Sequence, residues 1–559
     1  MDFIDDNSEG KMKIIGVVCR SNSPAHNSAA VALSDGKLVF AAEEEKLVRN
    51  KHAIGLFPLT AVNECLGFCN WRIDDVDFWA VGWDYMLGSA QEKKKEITTS
   101  VFPTLLLDLI PIEKIILVDH HLAHLMSSYI LTEKIDAAGL VVDGNGENRS
   151  VSAYDINSGK ISLIGGIDIE NSPGLYYESV AEYCGLGCMA PGKLMGLASY
   201  GNPIKKRLYS SANHLKPAAV ANKFPVAETI GDKVFHDWMS ILEQDLYPHI
   251  CNNDTEDIAA YINAAATAQR DLEESILGLS KIVKSETKKR TLVAAGGVFL
   301  NCNINTKLYA ESGFDEIVIF PAAHDAGASL GAALEVCQLN GDTIEKIQDL
   351  DMGLGKSYSN EESIAMLKSL SVDIKSFDYE QSIKLASSCL AGNRILLFFK
   401  GRSEFGPRAL CNRSILASPA KYDMLIRLNK LKGREYWRPL APVILDGYYD
   451  DVFETPKSNL MRHMLATAVV RDQYRNKIPA AVHIDGTSRP QIIDQKSSES
   501  IVTLLKEHHS MTGLPCLINT SMNIKGQPIC ERPLDAINLL ASLNEKASIF
   551  IDGVFATNS

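Results

Sequence analysis

One strand-and-turn pattern occurs twice in this chain. Residues 14–45 are predicted to form a strand, a loop, a second strand, an Asp35-Gly36 turn and a third strand. Residues 137–170 repeat the scheme with the turn at Ser158-Gly159. Longer helical stretches follow each copy, including residues 258–283. The repetition predicts an α/β fold in which two related lobes face each other across a cleft.

A second domain is predicted in the last third of the chain. A charged helix at 360–371 and a new apolar strand at 394–399 indicate a separate α/β unit. A chain of 559 residues also exceeds what a single hydrophobic core usually supports. We therefore expect domains of residues 1–354 and 355–559.

Composition excludes several classes of partner. The net charge of -13 argues against a nucleic-acid partner or an anionic membrane surface, because phosphate backbones are bound by clustered lysine and arginine. The N-terminus is acidic, and no run of ~18 uncharged apolar residues occurs, so we expect no membrane association and a cytoplasmic location. The 12 cysteines lack Cys-x-x-Cys spacing and are predicted to be free thiols.

Two histidines and two aspartates have the pattern of a metal site. His120 and His124 are four residues apart, so on a helix they project from one face. Asp143 follows a β-branched apolar run, and Asp325 precedes Ala326-Gly327. The predicted cleft would bring both carboxylates together. The alternative is that one histidine caps a helix while the other fills a core.

Basic residues beside glycine or proline recur in the predicted second domain. Arginine offers a planar fork that matches phosphate oxygens, and glycine or proline beside it fixes the approach of the backbone. Ser521 and Asn523 alternate at a predicted strand end, so both side chains would face one ligand. A single arginine is more often a solvated surface charge, but the group indicates a site for a small polyanion. Its basic members include Arg402, Arg408, Lys432, Arg434, Arg438 and Arg489.

Over nearly its whole length the sequence resembles the NodU/CmcH family of O-carbamoyltransferases. Each matching segment is short, and it is their order along the chain that makes the resemblance specific. Besides the histidine run and the basic segments, the matches are Ala25–Ala30, Arg49–His52, Pro191–Ala198 and Gly297–Asn301.

The resemblance implies a fold and a reaction. The N-terminal domain would belong to the actin/Hsp70/sugar-kinase (ASKHA) superfamily, as a duplicated α/β domain, and a YrdC-like α/β domain would follow it. In this family the YrdC-like domain makes carbamoyladenylate from carbamoyl phosphate and ATP with Mg²⁺. The N-terminal domain then transfers the carbamoyl group to a small-molecule alcohol acceptor and releases AMP. Neither the acceptor nor the oligomeric state follows from the sequence.

The resemblance also implies residue roles in the N-terminal domain. His120, His124, Asp143 and Asp325 match the family's metal ligands, usually for Fe²⁺, although another divalent metal is an alternative. Lys193 matches a cleft-facing lysine, but it could equally extend along the surface with only its charged end in water. The positions that match the turn near the nucleotide are Gly296, Gly297 and Asn301.

His26 matches a family histidine and is the candidate general base toward the acceptor hydroxyl. Many family members have His-Asp here, whereas this chain has His26-Asn27. An acceptor-binding or structural His26 is therefore an open alternative.

In the predicted second domain, Lys432 and Arg489 are the candidate catalytic residues. Positive groups around phosphate oxygens stabilise the charge that accumulates there during phosphate transfer. The family positions that bind carbamoyl phosphate and ATP match Lys432, Arg438, Arg489, Ser521 and Asn523, with Arg402 and Arg408 nearby.

Two other functions fit parts of the sequence. A small-molecule kinase or ATPase of the same superfamily would use Asp143 and Asp325 for Mg-ATP, would leave the histidine pair unused and would release ADP. A non-catalytic nucleotide-binding module would show no turnover.

Overall fold

A computed structural model describes residues 12–19, 26–84, 102–224, 231–250, 258–370, 372–495 and 497–558. Internal contacts divide the chain into two units. The first unit comprises Met1–Val48 and His52–Leu350. The second comprises Asp351–Ser559 together with the short segment Arg49–Lys51. Both units contain mixed α/β sheets.

The first unit holds two mixed sheets, each built on a strand that is buried along almost its whole length. The first sheet has the order β3-β2-β1-β4-β5, and the second has the order β11-β10-β6-β7-β8-β9. The strands are β1 Lys13–Val18, β2 Ala29–Ser34, β3 Lys37–Glu43, β4 Phe78–Val81, β5 Ile115–Leu117, β6 Ala137–Val142, β7 Val151–Asn157, β8 Lys160–Ile167, β9 Lys216–Pro217, β10 Thr291–Ala295 and β11 Glu316–Ile319.

The two sheets share one topology. In each, three strands pair antiparallel in sequence order, and the first of them then pairs in parallel with a later strand. Both hairpin turns have positive φ at two successive residues, 53° and 71° at Asp35-Gly36 and 48° and 78° at Ser158-Gly159. Such turns match the right-handed twist of the paired strands. The repeated strand-and-turn pattern predicted from the sequence is confirmed.

Helices follow each set of three strands. The longest described helix, Ile258–Thr287, extends past the predicted range of 258–283. The helices are α1 Glu44–Val48, α2 Leu59–Cys69, α3 Thr104–Leu107, α4 His120–Tyr129, α5 Pro173–Tyr183, α6 Pro191–Ala198, α7 Ala218–Ala221, α8 Gly231–Ile250, α9 Ile258–Thr287, α10 Cys302–Glu311 and α11 Asp325–Leu339.

Helix α11 packs directly against α4 because small residues line the contact. A Cβ added at Gly331 of α11 would lie 1.6 Å from the carbonyl oxygen of Ala123 in α4. On the β1 side, a Cβ at Gly16 would lie 2.1 Å from the carbonyl oxygen of Ser329. This close packing brings the first residue of α11, Asp325, toward the start of α4.

The second unit is built on an eight-stranded mixed sheet of order β12-β21-β20-β13-β14-β19-β15-β18. Its strands are β12 Asp373–Ser376, β13 Ile395–Phe399, β14 Arg413–Ala417, β15 Ala441–Leu445, β18 Gln491–Ile493, β19 Cys516–Ser521, β20 Ala547–Ile551 and β21 Val554–Thr557, with a separate pair β16 Ala468–Val469 and β17 Thr487–Ser488. The helices are α12 Asn360–Ser369, α13 Tyr379–Ala391, α14 Asp423–Leu431, α15 Tyr449–Val452, α16 Asp472–Arg475, α17 Glu499–Thr512 and α18 Pro533–Ser542.

Side chains of β13 alternate between two hydrophobic cores, one on each face of this sheet. Ile395, Leu397 and Phe399 pack with residues of α14 and α18, whereas Leu396 and Phe398 pack with residues of α13 and α17. A strand buried on both faces is expected to be apolar throughout, as β13 is. The predicted helix at 360–371 and strand at 394–399 are both present, each slightly shorter than expected.

The predictions of free thiols and of no membrane-spanning segment can be compared with the described residues. Every cysteine in the described ranges is a free thiol, as its spacing predicted. Among those residues, no helix has both the length and the apolar composition needed to cross a membrane.

Replacing Gly331 by alanine is expected to destabilise the protein by about 3 kcal/mol, because the new methyl group meets backbone atoms that cannot rotate away. Gly67→Ala is the matched control, since Gly67 lies in α2 with no atom within 4 Å of the added Cβ. That change should stabilise by about 0.5–1 kcal/mol. Chemical denaturation of both variants measures the difference, and equal stability would contradict the close packing of α11 on α4.

Candidate metal centre and cationic cluster

Three elements of the first unit supply the residues of a candidate metal centre. Asp119 caps α4, its Oδ1 accepting a hydrogen bond of 2.8 Å from the backbone N–H of Leu122. His120 therefore opens the helix, and His124 follows one turn later on the same face. Asp143 directly follows β6, and Asp325 is the first residue of α11.

The four side chains converge on one buried point. Ligand atoms of His120, His124, Asp143 and Asp325 all lie within 4.8 Å of one another. The Nε2 atom of His120 is 3.1 Å from Nε2 of His124. It is also 3.6 Å from Oδ2 of Asp143 and 3.7 Å from Oδ1 of Asp325. All four residues are buried.

The electrostatics of this group favour a cation. His120 Nδ1 lies 2.8 Å from the carbonyl oxygen of Gly82 and can only donate to it, so Nε2 is the ring nitrogen that faces the carboxylates and is available to a proton or a metal ion. Burial lowers the pKa of His120, but hydrogen bonds and negative charge from Asp143 and Asp325 raise that pKa to about 10. Imidazole and carboxylate donors suit a divalent transition metal, so the residues present fit a metal ion.

Outer contacts hold these side chains in place. Glu147 is buried, and its Oε1 accepts hydrogen bonds from the backbone N–H groups of His120 at 2.9 Å and Asp84 at 2.7 Å. The backbone N–H of Gly297 donates to Oδ1 of Asp143 at 2.9 Å. The ring of Trp83 lies 4.2 Å from that of His120. Partners of this kind fix ligand orientation in metal sites.

His26 lies beside the same carboxylates. Its Nδ1 is 3.8 Å from Oδ2 of Asp325 and 3.0 Å from Nδ2 of Asn27. Asn27 Oδ1 in turn lies 3.3 Å from Nδ1 of His52, and the Asn27 backbone N–H donates to the His52 carbonyl at 2.7 Å. With a φ of 59°, Asn27 occupies the left-handed region that asparagine tolerates. Asn27 therefore connects His26 to a second histidine, His52, to which the sequence analysis assigned no role.

The predicted nucleotide turn lies next to the metal centre. Gly296 has a φ of 101°, and a Cβ there would lie 2.2 Å from the carbonyl oxygen of Val142, so the close approach requires glycine. The side chain of Asn301 caps α10 and exchanges two hydrogen bonds with Gln269, at 3.0 and 3.1 Å. Lys193 is half-buried, and its Nζ donates to the carbonyl of Leu186 at 3.3 Å.

Lys432 is the centre of a separate group in the second unit. It is fully buried, and its Nζ donates to Oγ of Ser521 at 3.1 Å and to Oδ1 of Asn523 at 2.9 Å. The backbone carbonyls of both residues accept from the same Nζ. The side chains of Ser521 and Asn523 therefore both contact Lys432, whereas their alternation predicted that they face a ligand.

Arg434 and Arg438 lie near Lys432, and Arg489 lies near both arginines; we call Lys432, Arg434, Arg438 and Arg489 the cationic cluster. Oε2 of Glu435 lies 3.8 Å from Nη1 of Arg438 and is the carboxylate beside it. Burial and the charges of Arg438 and Arg489 lower the pKa of Arg434 to about 9. Burial, followed by the charge of Arg434, lowers the pKa of Lys432 well below its usual range. The Nε of Arg489 is buried without a hydrogen-bond partner among the described residues. Partly desolvated like charges of this kind fit an anion-binding site.

The other predicted arginines have different surroundings. Arg402 donates from Nε to the carbonyl of Gly355 at 2.8 Å and from Nη2 to the carbonyl of Leu354, so it holds the start of the second unit. Arg408 is half-buried between β13 and β14. From the sequence, Arg434 was placed in the basic group but not among the residues that bind substrate, and Glu147 was given no role. Two features of the sequence could have indicated them: Arg434 stands two residues after Lys432, and Glu147 stands four residues after Asp143.

His124→Ala should remove most of the bound metal from the protein, because it deletes one of two imidazole donors in a set of four. Metal content of the purified variant, measured by inductively coupled plasma mass spectrometry, tests this. The matched control is His121→Gln on the same helix, since Nδ1 of His121 contacts Oγ of Ser152 at 2.8 Å and His121 is outside the set. Equal metal content in His124→Ala and wild type would contradict the assignment.

Comparisons with known proteins identify the same family as the sequence motifs do. The Carbamoyltransferase N-terminus family matches residues 89–334, and the Carbamoyltransferase C-terminus family matches residues 387–556. Nodulation protein NolNO of Sinorhizobium fredii is 29% identical over 539 residues, covering 92% of this chain and 77% of its own length. Nodulation protein NolO of Bradyrhizobium diazoefficiens is 31% identical over 426 residues, covering 75% of each chain.

In a further relative, the match covers nearly all of both chains. An uncharacterized Synechocystis protein is 30% identical over 575 residues, covering 91% of this chain and 92% of its own length. Among solved structures, full-length HypF in a phosphate- and nucleotide-bound form matches 60% of this chain and 57% of its own length. The TM-score is 0.35 and the sequence identity is 14%, so this likeness supports no functional conclusion. The family matches and the relatives establish that this chain belongs to the carbamoyltransferase family and is a transferase enzyme.

Proposed function

We propose that the protein is an ATP-dependent O-carbamoyltransferase that works in two steps. The first step makes carbamoyladenylate from carbamoyl phosphate and ATP at the cationic cluster. The second step transfers the carbamoyl group to a hydroxyl of a small-molecule acceptor, such as a natural product, at the candidate metal centre. The observation that carries the proposal is the partly buried set of four like charges in a chain of the carbamoyltransferase family.

We assign these steps to residues 1–354 and 355–559. The first segment would have the duplicated ASKHA arrangement, an assignment supported by five strands of each sheet that share one order and the same directions, with β9 added at the edge of the second sheet. The second segment would be YrdC-like, with the cationic cluster beside the end of β19. The polyanionic substrates, ATP with Mg²⁺ and carbamoyl phosphate, match the charge of that cluster.

The first step needs charge stabilisation rather than a covalent nucleophile. Water cleaves carbamoyl phosphate to carbamate and phosphate, and a carbamate oxygen then attacks the α-phosphorus of ATP. The bond to pyrophosphate breaks, and carbamoyladenylate forms. Arg434, Arg438 and Arg489 would bind the phosphate oxygens on which negative charge accumulates. Lys432 would hold Ser521 and Asn523 in place beside these phosphate oxygens.

The second step joins an alcohol oxygen to the carbamoyl carbon while the bond to AMP breaks. Fe²⁺ or another divalent ion held by His120, His124, Asp143 and Asp325 would act as a Lewis acid on the carbamoyl carbonyl. His26 would accept the hydroxyl proton, and its place beside Asp325 supports that role. Gly296 and Gly297 would form the turn that faces the nucleotide, where the Gly297 N–H already binds Asp143, and Lys193 and Asn301 would contact the nucleotide.

Wild-type protein incubated with ATP and carbamoyl phosphate, without an acceptor, should release pyrophosphate only when carbamoyl phosphate is present. Arg489→Ala should lower that rate by at least ~100-fold, because one donor to developing charge contributes about this much. His120→Ala should retain it, since the candidate metal centre serves the later step. A coupled enzyme assay measures the rate of pyrophosphate release by wild type, Arg489→Ala and His120→Ala.

Arg471→Ala is the matched control, because Arg471 is also in the second unit but donates from Nε to the carbonyl of Asp450 at 2.9 Å. It should keep the wild-type rate. Release of ADP alone, or no turnover by wild type, would contradict carbamoyladenylate formation and favour a kinase or a binding module.

Asn27→Asp should speed carbamoyl transfer about ten-fold with any alcohol that the wild type carbamoylates. The Asn27 amide places a donor on Nδ1 of His26, whereas a carboxylate would only accept and would leave Nε2 free to take the hydroxyl proton. Pyrophosphate release without an acceptor should not change. The control is Asn70→Asp, an exposed asparagine that is also left-handed, with a φ of 52°. Slower transfer in Asn27→Asp would show that the amide itself serves the reaction.

A further inference from the structure

A buried amide of the second unit contacts two distant segments of the chain. Asn519 lies in β19 and is 1% exposed. Its Nδ2 donates to Oε1 of Gln491 at 2.6 Å and to the carbonyl oxygen of Ala409 at 3.1 Å. These partners are 28 and 110 positions away in the sequence. Asn519 therefore joins β19 to β18 and to the segment between β13 and β14.

The hydrogen bond between Asn519 and Gln491 spans a whole strand. In the sheet, β15 lies between β19 and β18, so roughly 9–10 Å separates the two outer strands. Ala441 of β15 pairs with Asn519, and directly paired residues place their side chains on the same face. The short side chain of Ala441 leaves space in which the two amides meet. This contact fixes β18 relative to β19 in addition to the backbone hydrogen bonds of the sheet.

Each of the joined segments carries a residue predicted for the phosphate site. Ser521 stands two positions after Asn519 in β19, so both side chains lie on one face of the sheet. Arg489 stands two positions before Gln491. Arg408 directly precedes the residue whose carbonyl accepts from Asn519. One amide thus connects the backbone segments that carry a hydroxyl and two guanidinium groups of the proposed site.

An apolar side chain would be less costly at this position. Leu517, two positions before Asn519 on the same face, packs in an apolar core that includes Ile493 of β18. Burying an amide costs free energy unless its atoms are hydrogen-bonded, and Oδ1 of Asn519 is buried without a partner among the described residues. Unlike apolar contacts, however, hydrogen bonds fix both a distance and an angle. The Asn519–Gln491 pair is therefore suited to holding strands in exact places.

Arg489 is a residue that needs such support. Its Nε is buried and donates no hydrogen bond to the described part of the chain, so its place depends on the backbone that carries it. Burial and the charges of Arg438 and Arg489 lower the pKa of Arg434 to about 9, which shows that these cations repel one another. A hydrogen bond at Gln491 holds the neighbouring backbone against that repulsion.

We propose that Asn519 is a positioning residue of the cationic cluster, which holds Arg489 and Arg408 beside Ser521 so that one polyanion contacts all three. The inference rests on the proposed function, in which ATP and carbamoyl phosphate bind at this cluster. Asn519 itself contacts neither substrate. Its effect on the affinity for phosphate oxygens passes through Arg489.

Binding of inorganic pyrophosphate to the full chain, measured by isothermal titration calorimetry, tests the inference without turnover. Asn519→Leu keeps a similar side-chain volume but removes the donor, and it should weaken binding by about ten-fold, the scale of a lost buried hydrogen bond. Arg489→Ala should weaken binding at least as much. In the double variant, Asn519→Leu should add less than about two-fold, because positioning has no effect once Arg489 is absent.

Gln491→Met provides a second variant, which removes the acceptor at nearly the same side-chain length. It should reproduce the loss of pyrophosphate affinity, and it decides the question if Asn519→Leu does not fold.

Asn558→Leu is the matched control in the second unit. Asn558 Nδ2 donates to the carbonyl of Glu545 at 2.8 Å, and its Oδ1 accepts from the backbone N–H of Ala547 at 2.9 Å. This variant should lower the unfolding temperature without changing the affinity for pyrophosphate.

Three results would each overturn the inference: no saturable pyrophosphate binding by wild type, equal affinity in Asn519→Leu and wild type, or losses that multiply in the double variant. Failure of the proposed function gives a different result, in which wild type binds pyrophosphate but releases none from ATP and carbamoyl phosphate. The binding data would then still decide the role of Asn519.

Discussion

Two imidazoles and two carboxylates buried around one small space attract a cation, because their lone pairs and negative charges converge there. His120, His124, Asp143 and Asp325 are in this position, and the surrounding fold is arranged to bring them there. The Asp119 cap starts α4 at His120, and β6 ends at Asp143. Close packing at Gly331 brings α11 against α4. Burial raises the cost of leaving this charge unbalanced, so the same packing that orders the unit also creates its affinity for a metal.

The second unit has the opposite electrostatics. Its cationic cluster gathers positive charge in partly desolvated surroundings, and the mutual repulsion is relieved when an anion binds. One unit is thus suited to a cation and the other to polyanionic substrates. In the proposed reaction this division separates phosphate chemistry from carbamoyl transfer.

Patterns with short sequence separation predicted much of the fold, and the repeated pattern also predicted that Asp143 and Asp325 would meet in a cleft. Other contacts between distant residues were not predictable. The Asp35-Gly36 and Ser158-Gly159 hairpins follow from local turn preference, and the helical spacing of His120 and His124 from helix geometry. The structure also brings Asp143 and Asp325 to that pair. The sequence did not indicate Glu147, because this carboxylate supports the site through the backbone N–H of His120. It did not indicate the Asn301–Gln269 hydrogen bonds either, because the two residues lie 32 positions apart.

The most direct test of the candidate metal centre is X-ray diffraction from crystals of metal-loaded protein, collected on both sides of the iron absorption edge. The account predicts one anomalous peak at the four ligands, with nitrogen and oxygen atoms at about 2.0–2.2 Å. If the metal is not iron, the peak should appear at the edge of the metal found by elemental analysis. A peak bound elsewhere, or none in protein that contains stoichiometric metal, would contradict the claim that these four residues share one ion.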